Sequence, residues 1–292
     1  MLEGPRARSI TQGHVGGGYV VSTSDGKKLR FCGLLDCLRA TCFPDYDYQK
    51  ARATASTPAA LRHSTGLARP WHGVQRGRQI HDEVRAYINA GGAAAVSGMF
   101  HNTSGGGGIA KSLASCLLDA LKQCGLTPVR SEFCVYYEQV SLASAIDLLC
   151  TYVDKETGRL MLSVVEIKCG FENDFLLATG PLRAPPSLSA RYNNSPLTQA
   201  YLQLAFYRQM VQHAYPGVPI GVCYVAKVGT RDTTLYPLPN DIIGAANDLV
   251  AHVAATRLRQ LAGDAKAVPV RRAAPAWVKR ARKTAQIPRS RR

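Results

Sequence analysis

The sequence contains no apolar run approaching the ~18–20 residues needed to span a bilayer. Its first eighteen residues, MLEGPRARSITQGHVGGG, hold no apolar stretch of the kind a secretory signal requires. The cysteines number nine, an odd count scattered from Cys32 to Cys223, which argues against a secreted disulfide framework. These absences predict an intracellular protein with no membrane partner. No two cysteines form a Cys-x-x-Cys pair. Cys32, Cys37 and Cys42 make an evenly spaced trio, but a zinc or iron–sulfur site needs a fourth ligand, so they read as reduced core thiols. The glycine-rich stretch GGGGIAKS (105–112) has Ala110 where a phosphate-binding GxxxxGKS loop needs its second glycine, and no apolar strand leads into it. A P-loop nucleotide-binding protein is thereby disfavoured. No internal repeat is visible.

What remains is ordinary globular composition: 292 residues, 46% hydrophobic and 19% charged. The net charge of +16 is unevenly spread. Segment 266–292 carries ten Lys and Arg and no acid, including the run Lys279, Arg280, Arg282 and Lys283. Such a tail suits a polyanion, an import receptor or plain solubility. The organisation expected is a loose N-terminal segment (1–30), a domain over 31–264 and a disordered basic tail (265–292).

Hydrophobic periodicity predicts the elements of that domain. A hairpin turning at Asp25-Gly26 is expected over 19–30, a short helix over 31–42, and loop over 44–75. Helices are predicted at 77–89 and 111–124, the latter ending at Gly125. Strands follow at 128–138, 142–153 and 159–168. After a long loop (170–196) come a helix (197–213), two strands (219–227, 232–238) and a helix over 240–262. This order predicts an α/β fold with a mixed central sheet flanked by helices.

One strand is out of character. RLMLSVVEIKCG is apolar until it ends Glu-Ile-Lys, and a period of two puts Glu166 and Lys168 on one face. A simple ion pair would account for those two alone. The preceding strand, SAIDLLCTYV, also carries an acid, Asp147, embedded in apolar sequence. Buried charges are costly unless paired or bound to metal. Two carboxylates and a lysine from adjacent strands suit Mg²⁺ or Mn²⁺, with the lysine neutralising charge on a phosphate.

Asp147 followed by Glu166-Ile167-Lys168 resembles the PD-(D/E)XK nuclease superfamily, with Ile146 where that family's proline often stands. The branch it most resembles is the RecB-like exonucleases. Gly77-Arg78-Gln79-Ile80-His81 is similar to that branch's G-x-x-x-H helix, Glu132 to its acid before the Asp strand, and Gln203 to Tyr207 to its Q-L-x-x-Y helix. The resemblance spans about 77–227. It implies a restriction-endonuclease-like core in αβββαβ order, with Asp147, Glu166, His81 and the Ile167 carbonyl holding metal. It also implies a catalytic role for Lys168, and DNA-binding or supporting roles for Glu132, Gln203 and Tyr207. Gln199, one turn before Gln203, joins that polar stripe, which could equally be a solvent face. His81 and Glu132 alone could be ordinary surface or satisfied groups. Ser144 stands where relatives often have glycine. No cysteine follows Cys223, so no iron–sulfur cluster is expected. The function expected is metal-dependent DNA hydrolysis, as an exonuclease in replication, recombination or repair. The alternatives are an endonuclease or resolvase, or an inactive DNA-binding protein on the same fold. A nuclear location is compatible with the tail.

Overall fold

The computed structural model describes residues 10–12, 19–22, 28–43, 70–91, 112–170, 175–178, 180–229 and 232–264. The chain divides into two compact units, Met1–Ala254 and Ala255–Arg292. The expected Asp25-Gly26 turn, most of the 44–75 loop, nearly all of the 91–108 glycine-rich break and the basic tail with Lys279, Arg280, Arg282 and Lys283 lie outside the described residues.

An eight-stranded mixed sheet forms the centre. Its strands are β1 (Ile10–Gln12), β2 (Tyr19–Ser22), β3 (Lys28–Gly33), β4 (Thr127–Tyr137), β5 (Leu142–Val153), β6 (Leu160–Cys169), β7 (Tyr224–Val228) and β8 (Thr233–Pro237). The helices are α1 (Leu34–Thr41), α2 (Pro70–Asn89), α3 (Leu113–Gln123), the short α4 (Pro186–Ser189), α5 (Pro196–Ala214), α6 (Asn240–Gly244) and α7 (Ala246–Asp264). The expected α/β class and mixed sheet are present. Among the described residues no helix is long and apolar enough to cross a membrane.

Local chemistry explains the element ends. Ser112 and Ser195 cap α3 and α5, their hydroxyls accepting the N–H groups of Ser115 and Thr198 at 3.1 Å. Helix α3 stops where Gly125 takes φ +74°, and the Leu126 and Gly125 N–H groups close on Leu121 and Lys122. The β5–β6 turn is tied by Asp154, whose Oδ1 accepts the N–H groups of Glu156 and Thr157.

Three expectations need correction. The segment 1–30 is not simply loose: β1, β2 and the start of β3 are strands, because Tyr19 and Phe31 bury themselves against Ala143 of β5. The predicted helix at 31–42 begins only at Leu34, since residues 31–33 belong to β3 and Cys32 and Gly33 pair with β5. The single helix expected over 240–262 is two, broken at Ala245.

Both faces of the sheet are covered. Helices α1 and α5 pack on one face with Ile146, Leu149 and Val164. Helices α2 and α3 pack on the other with Leu148, Cys150, Val165 and Ile167. Strand β4 runs antiparallel along one whole edge of β5. The opposite edge is shared. Strand β3 pairs in parallel with Leu142 and Ala143, and β6 pairs antiparallel with Leu148 to Val153. Residues 144–147 of β5 therefore face a fork between β3 and β6.

Candidate active site

The fork holds the chemistry. Continuing the β5–β6 register would set Ile146 opposite Ile167, but pairing stops at Leu148–Val165. The Asp147 carboxylate takes the place of the missing ladder bond: its Oδ2 accepts the Ile167 N–H at 2.7 Å. The pleat slips here as well. Ile146 packs with α5 and Leu148 with α2 and α3, although residues two apart in a regular strand share a face. Across the sheet, Glu132 of β4 lies between the pairs Ser131–Leu148 and Phe133–Ile146 with φ +50°. A left-handed conformation costs a non-glycine residue about 1–2 kcal/mol. That local cost turns the Glu132 carboxylate to His81 of α2, whose Nδ1 is 2.5 Å away.

Two groups of side chains meet at the fork. Ligand atoms of His81, Glu132 and Asp147 all lie within 4.8 Å of one another. Beside them, Glu166 is buried at 2% exposure, and its Oε1 accepts the Lys168 ammonium at 2.5 Å. The other oxygen of Glu166 is buried with no hydrogen-bond partner, and the neighbouring Asp147 carboxylate favours a proton on Glu166. Lys168 also donates to the Gln203 Oε1 on α5 at 3.1 Å, and Gln203 Nε2 donates to the Tyr207 hydroxyl at 2.6 Å.

The ionisation of these groups follows from burial and from each other. Burial and the Asp147 charge push Glu166 up to about 8, against the opposing Lys168 ammonium. Burial raises Asp147 too, although His81, Lys168 and the Ile167 N–H oppose it. Burial pulls Lys168 down, but the charges of Glu166 and Asp147 outweigh it and hold it above its ordinary value. Burial likewise pulls His81 down, and the Glu132 hydrogen bond with the nearby carboxylates reverses the sign. The His81 hydrogen bond lowers Glu132, with burial opposing. Two raised carboxylates beside a fixed cation describe a site short of positive charge.

Such a donor set fits a hard divalent cation: carboxylate oxygens with one imidazole and one oxygen lacking any donor. An open cleft leads to it, lined by Gly77, Arg78, His81, Asp82, Arg85 and Glu132. Arg85 pairs with Asp82 at 3.4 Å.

Asp147, Glu166, Lys168, His81 and Glu132 are thus brought together. Glu132 stands among the candidate ligands rather than at a distance. Gln203 and Tyr207 are buried supports of Lys168 and cannot face a groove. Gln199 is not part of the site: its amide donates to Asn194 at 3.0 Å. Two contributors carried no functional expectation, Tyr19 and Ser144, both of which join the hydrogen bonds around Tyr207. No protein-family model matches the chain, and no curated protein matches it.

Proposed function

We propose that this chain is a Mg²⁺- or Mn²⁺-dependent deoxyribonuclease of PD-(D/E)XK type on a restriction-endonuclease-like core, acting as an exonuclease on DNA ends. One observation carries the reading: the partly buried Asp147 and the buried Glu166, carboxylates from adjacent strands, press on one another while Lys168 is pinned alongside and one Glu166 oxygen has no hydrogen-bond partner. The order of helix, three strands, helix and strand from α3 to β7 supports it.

In this reading Asp147, Glu166, His81 and Glu132 hold the cation, with the Ile167 carbonyl joining them by resemblance. The cation supplies Lewis-acid polarisation and charge neutralisation at the phosphodiester. Lys168 presents its ammonium to the phosphate oxygens as negative charge develops, and Gln203 fixes the direction of that ammonium. The imidazole of His81 is oriented by Glu132. Arg78 and Arg85 flank the cleft, where they can take backbone phosphates without reading bases. The substrate goes with an intracellular location, and the tail suits nuclear import or an electrostatic DNA arm.

A binding protein without catalysis has less reason to keep these charges, because replacing buried ions by apolar residues often stabilises a fold. The deciding experiment incubates linear and circular DNA, single- and double-stranded, with the protein and Mg²⁺, Mn²⁺ or a chelator. The expected result is metal-dependent loss of linear DNA, abolished in Asp147→Ala and Lys168→Ala. Binding without cutting under every condition would sink the proposal. Cutting of circular DNA would replace the exonuclease by an endonuclease.

A further inference from the structure

The fork leaves the backbone of Ala145 without a strand partner on one edge. In an antiparallel ladder both backbone groups of a residue point to the same side. Ala145 lies opposite Cys134 of β4, and its N–H and C=O both turn away from β4 into the fork. Two tyrosine hydroxyls meet them. The Ala145 N–H donates to the Tyr19 hydroxyl at 3.2 Å, and the Tyr207 hydroxyl donates to the Ala145 carbonyl at 3.0 Å.

The remaining protons follow from these two. Tyr207 gives its only proton to Ala145, so Ser144, 3.0 Å away, must donate to Tyr207. Gln203 donates to Tyr207 and accepts from Lys168. Tyr19 and Tyr207 thus hold the two backbone groups of Ala145, and the Tyr207 side continues through Gln203 to the site lysine. Both contacts fall on the backbone two residues before Asp147. Tyr19 itself is buried at 8% exposure, held by the β2–β3 hairpin and packed with Phe31 and Ala143.

We propose that Tyr19 is a positioning residue for the catalytic machinery, and that the N-terminal hairpin is part of the active unit rather than an appendage. Its hydroxyl does the work of the absent strand. By fixing Ala145 it holds β5 where the Asp147 carboxylate can take the Ile167 N–H. The inference rests on the reading that Asp147 is catalytic, so its test includes a measurement that needs no turnover.

Site-resolved amide exchange is compared in wild type, Tyr19→Phe and the packing control Phe31→Leu, alongside steady-state DNA hydrolysis. In Tyr19→Phe the ring stays and only the hydroxyl goes. Exchange should quicken about three- to tenfold at Ala145 and at Ile167, twenty-odd residues further on, while the paired stretch 148–153 is unchanged. The kcat should fall about tenfold with KM unchanged. Phe31→Leu should lower the thermal midpoint without moving Ile167. An Ile167 amide indifferent to Tyr19→Phe overturns the proposal, as does equal acceleration in Phe31→Leu, which would make the role one of packing. Wild-type protein that hydrolyses no DNA removes the nuclease reading, and the exchange measurement still decides whether Tyr19 holds the Asp147 strand.

Discussion

The two sides of the β5–β6 fork are built on opposite plans. On the α5 side, Lys168, Gln203, Tyr207, Ser144 and the Ala145 carbonyl give and receive hydrogen bonds in sequence. On the α2 side, His81, Glu132 and Asp147 bring two carboxylates to one imidazole, and Glu166 beside them keeps one oxygen without a hydrogen-bond partner. Buried polar groups are normally satisfied, and by that measure the first side is finished scaffold while the second is not. A protein that only needed stability would have no use for the second.

The sharpest way to break this contrast is to remove its reacting groups. Lys168→Met and Asp147→Ala should each lower the DNA hydrolysis rate by about 10²–10³-fold or more, with the far-ultraviolet circular dichroism unchanged. Equal rates in wild type and variants would erase the distinction between the sides. Next in size is the effect of metal. Mn²⁺ at a hundred times its Kd should stabilise the protein by about 2.7 kcal/mol in chemical unfolding. Glu166→Gln should lose that gain. The sign of the pH dependence follows from Glu166, raised from 4.5 to about 8. The folded state keeps a proton that the unfolded state has lost, so metal-free stability falls as pH rises from 4.5 to about 8. Metal must displace that proton, so calorimetric affinity for Mn²⁺ should strengthen over the same range.

The finished side makes a smaller prediction. Tyr207→Phe strips the Ala145 carbonyl of its donor and the Gln203 amide of its acceptor, a loss of about 1–3 kcal/mol in urea unfolding. Smaller still is His81→Asn. Both partners of the His81–Glu132 pair are partly exposed, at 20% and 35%, so solvent holds the cost below about 1 kcal/mol. His81 is raised above 6.5, so its contribution is complete below 6.5 and fades as pH climbs through the raised value. Glu132 is lowered, so its share is present above 4.5 and goes as pH falls through the lowered value. Thermal melts should therefore separate His81→Asn from wild type most clearly between 4.5 and 6.5. Least affected should be Gln199→Ala, with hydrolysis unchanged and stability within about 0.5 kcal/mol, since its amide bonds Asn194 and none of the fork residues.

How legible these features are in the sequence depends on how local they are. Glu166 and Lys168 stand out because two charges interrupt an apolar strand, and the Asp154 turn signals that β5 and β6 are neighbours. Helix α5 is legible in the apolar periodicity of 197–213, although its capping Ser195 and Pro196 fall in the stretch expected to be loop. The role of Tyr19 is hidden. Its neighbours are glycine-rich, and nothing local indicates that β3 pairs with a strand so far along the chain. Gln199 misleads for a related reason. Helical spacing places it beside Gln203, but Asn194 in the preceding loop takes its amide. The φ of Glu132, which turns that acid towards His81, is a tertiary compromise with no residue-level signature.

The parallel seam between β3 and β5 sets a clock on the molecule. Cys32 and Leu142 emerge from the ribosome about 110 residues apart, a delay of roughly 5–20 seconds at ordinary synthesis rates. The β5–β6 hairpin forms from near neighbours, whereas docking of the N-terminal strands waits on this distant closure. The clamp residue Tyr19 is therefore made long before Asp147 and Glu166, and it can close only once β5 has emerged. A growing chain thus carries its frame early and its acids late, and the two meet only across this distant seam.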